Sequence, residues 1–383
     1  MLMVANRFLF GLKAIACCLI WFYGSTVCFG QAENISIGER KSLFSKVLNE
    51  QRELLIYTPE DYPSSSGSYP VLYLLDAEWH FHVVSGVVKQ LSANGDIPEL
   101  IVVGLVNTNR SRDLTPSGQN DNPLIYGGAG KFLDFIVDEV QPLIESDYRV
   151  HPYRMIYGHS FGGLFAVYTL LNRPDFFDSY LVLSPSLGRN DQQQVKAARS
   201  FFSNHQQLSS SLFLAVGNEG GNTFIATSKL AEVLEKQQAD QFFWDYQHLP
   251  NEDHGSITVG GLLKGLAFIF DGFNFERETD LDEIFLVEKH YQELSERLGF
   301  EVAVPELAYQ KFVQEQIGAR DLDYALFILG RYQQSYPDSI ELIQMLADVW
   351  LLKGDFVNAK KYYRQLLDFG VQDERVKQIM KNL

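Results

Sequence analysis

Ser160 lies in the run "RMIYGHSFGGLFAVYTLL", with Gly158 two residues before it and Gly162 and Gly163 just after. A serine hydroxyl is a weak nucleophile until a base takes its proton and a third group orients that base. The flanking residues are suited to presenting such a hydroxyl. "MIY" reads as the end of a short buried strand. Leu164, Val167, Tyr168 and Leu171 recur at helical spacing in an otherwise apolar run, so a buried helix begins at once. A one-residue corner between the two needs a sharp turn and a close approach of backbones, which residues without a Cβ permit. G-x-S-x-G at a strand-to-helix corner is the pattern of a nucleophile elbow. The other reading is a tight glycine turn with a bystander serine, and the rest of the chain must decide.

Where such an elbow is catalytic, the partners follow in chain order, acid and then histidine. Four histidines follow Ser160: His205, His248, His254 and His290. His205 precedes the strand expected to bear the acid, His248 falls within the last strand, and His290 lies in a helix beyond it. His254, in "LPNEDHGSITVGG", falls between the last strand and the last helix, where a side chain can swing over the strand ends. Glu219 is the first carboxylate after the preceding strand, in the loop of "LFLAVGNEGG", and Asp191 is the second candidate for the acid. Glu252 and Asp253 are too near His254 in sequence to orient its ring. An oxyanion hole needs backbone N–H groups. One is expected from Phe161 and the other from the loop leaving "PVLYLLD", at Glu78. Trp79 and Arg112 are candidates for substrate contacts; Arg112 could instead pair structurally with Asp113. No metal or cofactor is expected. The histidines are scattered without an H-E-x-x-H pattern, and "YGGAGKF" has Phe132 where a phosphate loop needs Ser or Thr.

The elements that must position these groups read as an α/β sheet with helices on both faces. The strands are "ELLIYTP", "PVLYLLD", "LIVVGLV", "YRMIYGH", "SYLVLSP", "SLFLAVG" and "QFFWDYQHL"; helices are expected over 131–145, 193–202, 224–238 and 257–270. At 383 residues, 46% apolar, the chain can bury a large core. A net charge of −16 without a basic run leaves no footprint for nucleic acid. Arg7 and Lys13 are the only charges in the first thirty residues, and the apolar run there ends in small residues. This reads as a signal peptide over 1–30, giving an exported, periplasmic or extracellular protein with no membrane span in the mature chain. All three cysteines fall within it. The catalytic domain is then 31–275. A linker helix follows over 276–300, and 301–383 is all helix. There a shift of 34 residues aligns Phe312 with Leu346, Asp321 with Asp355, Ala325 with Ala359 and Tyr332 with Leu366. That period is tetratricopeptide-like, which suggests a protein partner or self-association.

Taken together, "RELLIYTPEDY", "YPVLYLLDAEWHF", "GLVNTNRSRDLTPS", "GHSFGGLFAVYTLLNRPDFFDSYLVLSPSL", "LFLAVGNEGG" and "DHGS" resemble the esterase-D-like esterase family over about residues 40–275. That family includes enterochelin and related siderophore esterases, S-formylglutathione hydrolases and mycolyltransferases. The family's "LLDG" stands here as "LLDA". The resemblance implies an α/β-hydrolase fold and hydrolysis of a small-molecule carboxylic ester through an acyl-enzyme, with Ser160 the nucleophile, Glu219 the acid and His254 the base. Acyl transfer on the same triad, or a non-catalytic binding role through the repeats, are the alternatives.

Overall fold

Six consecutive buried residues, Tyr69–Leu74, form a strand that is covered on both faces, as a central parallel strand must be. Ile101–Leu105 and Ser179–Leu183 are likewise buried throughout. The computed structural model describes residues 36–382 except 61, 64, 66, 119–120, 123, 206, 238, 278–281 and 372. The segment read as a signal peptide lies outside the described residues. Among them runs an eight-stranded sheet: β1 Glu39–Ser45, β2 Glu50–Tyr57, β3 Tyr69–Leu74, β4 Ile101–Leu105, β5 Val150–His159, β6 Ser179–Leu183, β7 Gln207–Gly217 and β8 Asp240–Leu249. Its order is β1-β2-β4-β3-β5-β6-β7-β8. β2 pairs antiparallel with β1 and β4, and all the others pair parallel.

The seven strands read from the sequence are all present. β1 is additional. Its "ERKSLFS" has no apolar run, and it forms because β2 offers it a pairing edge, Leu43 opposite Arg52. The helices are α1 Ala77–Ala93, α2 Arg110–Asp113, α3 Ala129–Phe135, α4 Gln141–Asp147, α5 Phe161–Asn172, α6 Arg189–Asn204, α7 Gly221–Leu234 and α8 Ile257–Ile269. The stretch expected as one helix over 131–145 is α3 and α4 joined by a π turn, Ile136–Val140. α1 was not anticipated; its stripe of Ala77, Phe81, Val84 and Val88 is broken by polar histidines and Gly86.

After α8 the longer elements among the described residues are all helices: α9 Ile284–Leu298, α10 Glu306–Ala319, α11 Leu322–Ser335, α12 Ile340–Leu352, α13 Phe356–Asp368 and α14 Glu374–Asn382. α12 and α13 start 34 residues after α10 and α11 (306 to 340, 322 to 356). Asp321 and Asp355 play the same part in both copies, each capping a helix by accepting from the backbone N–H three residues on. α9 to α12 share a core with one face of the sheet, in which Leu266, Phe275, Tyr291, Phe312 and Leu329 belong to one buried cluster, whereas Ala359, Tyr363, Leu366 and Val376 of α13 and α14 form a separate one with Ile343 and Ala347. Phe300 packs at 5.0 Å from the His151 ring and 5.1 Å from Tyr153, and the Tyr291 hydroxyl donates to Phe273 O at 2.8 Å. Gly38–Leu383 is one compact unit. The seam lies at the start of β5. Seven residues of strand separate Tyr153 from Ser160, roughly 23 Å.

Because the core runs from the sheet into α9 to α12, these helices should unfold with the sheet in one cooperative transition. Phe312 is buried and sits 6.2 Å from the Phe275 ring. Phe312→Ala should lower the stability of the whole unit by about 3 kcal/mol or more. Calorimetry checks this; a separate early transition that takes in α9 to α12 would contradict it.

Candidate active site

At the end of β5 the chain turns into α5 through Ser160 alone, which takes φ 59° and ψ −114°. A non-glycine residue there costs on the order of 1–3 kcal/mol and persists only where its surroundings over-determine it. They do so here. Ser160 N–H donates to Leu183 O at 3.1 Å, and its carbonyl accepts from Leu164 at 3.0 Å and Ser186 at 2.9 Å. A Cβ at Gly158 would lie 2.2 Å from Gly162 O, and one at Gly163 would lie 3.0 Å from Pro185 Cα. Those two glycines are therefore required by backbone contact.

Glu219 follows β7 and His254 follows β8, so all three groups stand at the carboxyl ends of parallel strands. Glu219 Oε2 lies 2.7 Å from His254 Nδ1, and its other oxygen accepts from the Ser184 hydroxyl. Glu219 is buried, whereas His254 is about half exposed. An ionised carboxylate only accepts, so the neutral ring carries its proton on Nδ1 and leaves Nε2 free as a base. The His254 ring packs 4.5 Å from that of His159, next to the elbow. Ser160 Oγ makes its hydrogen bond with Ser186 Oγ, at 3.3 Å, rather than with His254. Catalytic hydrogen bonds often tighten only when substrate binds. Asp191, the other acid candidate, is held in an exposed ion pair with Lys196. The remaining histidines serve packing. His205 stacks on Phe201 at 3.9 Å, His248 meets Phe224 at 5.0 Å, and His290 Nε2 lies 2.7 Å from Gly272 O.

Phe161 is the first residue of α5 and Glu78 the second of α1, positions whose N–H groups have no acceptor within the helix. The turn into α1 is held by Asp76, buried at φ 55°, which accepts from Arg110 at 2.7 and 2.9 Å and from Asn107 at 2.7 Å. The Glu78 side chain accepts from Asn107 Nδ2 at 2.8 Å.

The arginines of the "RSRD" turn divide the work. Arg112 does not face the nucleophile. Its guanidinium bonds Glu50 at 2.7 and 3.0 Å and Asp113 at 2.6 Å, beside the buried Arg52–Asp113 pair at 2.7 Å. Those bonds hold the Glu50 carboxyl below its ordinary range. Arg112 thus braces the loop against β2, the structural pairing with Asp113 that the sequence left open. Arg110 is the arginine at the site, 5.1 Å from the Phe161 ring and 5.3 Å from exposed Trp79. Arg189 also lies over the Phe161 ring, at 5.6 Å, and 4.2 Å from that of Tyr126. Sequence reasoning missed Arg110 and Arg189. Arg110 shares its motif with Arg112, and nothing in spacing tells which one turns inward.

His159 is held neutral. Burial, then the neighbouring His254 and His80, lower its pKa from 6.5 to about 4. The folded state resists protonation that the unfolded chain accepts, so this contribution is present above pH 6.5 and lost as pH falls towards about 4. It amounts to roughly 3 kcal/mol. His159→Asn should therefore flatten the fall in urea midpoint between pH 7 and 4.5; an unchanged slope would contradict this.

The family described as "Putative esterase" matches residues 45–257, more than half of the chain. The ferri-bacillibactin esterase of Bacillus subtilis is 34% identical over 203 residues, 47% of this chain and 69% of that protein. The siderophore enterobactin esterase of Emericella nidulans is 36% identical over 200 residues, 42% of this chain and 65% of that one. A crystal structure of an IroE-like serine hydrolase from Shewanella oneidensis superposes with a TM-score of 0.68 at 30% identity, covering 78% of this chain and 99% of that one. With its α/β sheet and all-helical C-terminal region, the chain belongs to this esterase family and is a carboxylic ester hydrolase.

Proposed function

We propose that the protein is an exported serine esterase that cleaves a siderophore-type ester through an acyl-enzyme, with Ser160 as nucleophile, His254 as base and Glu219 as acid. The observation that carries this reading is the Glu219–His254 pair at 2.7 Å, standing beside a serine held at φ 59°. His254 Nε2 takes the Ser160 proton as Oγ attacks the ester carbonyl. The N–H groups of Phe161 and Glu78 receive the developing oxyanion, and His254 returns the proton to the departing alcohol. Water, activated by the same imidazole, then releases the acid.

The rim supports the substrate class. Trp79, Tyr126 and Phe161 offer aromatic faces, and Arg110 and Arg189 lie over them as cations. Such a rim suits an aromatic, anionic acyl group, as the names of the siderophore esterase relatives suggest. Export rests on the apolar run after Arg7 and Lys13. Among the described residues no helix is long and apolar enough to cross a membrane. Residues 301–383 we read as two tetratricopeptide-like repeats that dock a protein or a second copy, a reading supported by the 34-residue spacing of helices and capping aspartates.

Ser160→Ala should cut turnover of an activated ester by on the order of 10⁶-fold with the fold intact. Glu219→Gln should lose several powers of ten, whereas Asp191→Asn should retain the wild-type rate. Turnover of a catecholate trilactone should exceed that of a short-chain alkyl ester and fall when Arg110 is replaced. A Ser160→Ala rate above a tenth of wild type would refute the mechanism. A preference for the alkyl ester would refute the substrate class alone.

A further inference from the structure

The turn after β6, Ser184-Pro185-Ser186, touches both ends of the proposed catalytic row. Ser186 meets the nucleophile; Ser184 meets the acid. Ser184 is fully buried, and its hydroxyl donates to the Glu219 oxygen that does not face His254. The same hydroxyl accepts from Gly217 N–H at 3.4 Å. Its backbone is fixed to the neighbouring strand, with Ser184 N–H donating to Ala215 O at 2.8 Å. It also takes φ 42°, uncommon for a residue with a side chain. Glycine would adopt that angle without strain. The chain instead keeps a hydroxyl there, against the acid.

Glu219 needs such a partner. It lies two residues beyond β7 in a loop that continues through Gly220 at φ 66° and Gly221 at φ 60°. A glutamate side chain has three rotatable bonds, and a glycine-rich loop does little to fix its carboxylate. We propose that Ser184 is a positioning residue for the acid: its hydroxyl, backed by Gly217 N–H, holds Glu219 so that the other oxygen meets His254 Nδ1. This rests on the reading of Glu219 as the acid given above.

The test is a double-mutant cycle on the full chain with an activated ester. Ser184→Ala should lower kcat on the order of 10- to 100-fold while leaving KM within about twofold. Ser184→Gly should lose a similar factor, yet melt no lower than wild type because glycine relieves the positive φ. Adding Ser184→Ala to Glu219→Gln should cost no more than about a further twofold, since the hydroxyl then has no carboxylate to hold. The acid limb of the pH–rate profile should move the same way in Ser184→Ala as in Glu219→Gln. His159 packs on the His254 ring in both variants, with His80 against His159, and Glu252 and Asp253 neighbour His254 in sequence, so their charges cancel in that comparison. Wild-type kcat in both Ser184 variants, fully additive losses, or a glycine variant that does not fold would each overturn the proposal. Should Glu219→Gln itself keep wild-type activity, the acid assignment falls and the role of Ser184 falls with it.

Discussion

The backbone contact between the end of β5 and the start of α5 is the constraint on which the rest depends. Gly158 leaves no room for a Cβ against Gly162 O, and Gly163 packs on Pro185. Only that closeness lets one residue, Ser160, turn the chain from strand to helix with its side chain at the sheet edge. The turn is strained, so it must be held from outside. The holding bonds come from β6 and its turn, through Leu183 O and Ser186 N–H. The sheet order then decides what stands next to it. With β6 and β7 parallel and Leu183 opposite Ala215, the loops after β6 and β7 open on the same edge.

Charge is arranged against the average of the molecule. The chain carries −16, yet the mouth of the site is rimmed by Arg110 and Arg189. Keeping those side chains in place takes acidic partners: Asp76 for Arg110 and Asp121 for Arg189. A second set, Arg52, Arg112, Glu50 and Asp113, lies behind the loop and fixes it to β2. Buried pairs of this kind are costly to break because one charge is left without its partner. They give the loop stiffness rather than reactivity.

The helical tail meets the opposite end of the sheet. Its contacts run through Phe273, His151 and Tyr153, at the start of β5 and the end of α8. It therefore supplies apolar cover for one sheet face without approaching Ser160. Sharing that core makes α9 to α12 part of the folding unit, while Ser160, Glu219 and His254 stand at the carboxyl edge.

The sequence by itself determined the groups whose position follows from local pattern. G-x-S-x-G between an apolar run and a helical one marks Ser160 because the corner demands glycine there. Seven strands were legible as apolar runs; β3, β4 and β6 are buried on both faces and so leave no polar alternation. The 34-residue period of the tail shows in its capping aspartates, because a cap acts on its own helix. Tertiary structure alone decided the rest. β1 exists only by pairing with β2, and α1 only by packing an interrupted stripe on the sheet. Glu219 and Asp191 are both carboxylates that follow strands, and only the sheet order brings Glu219 to His254 and leaves Asp191 with Lys196 in solvent. Arg110 and Arg112 differ by two positions in one short turn, and which faces the site depends on Asp76 and Glu50, far away in the chain. Ser184 had no local signature at all. Its hydroxyl matters through a carboxylate 35 residues on, and a contact at that separation is set by strand register, not by spacing.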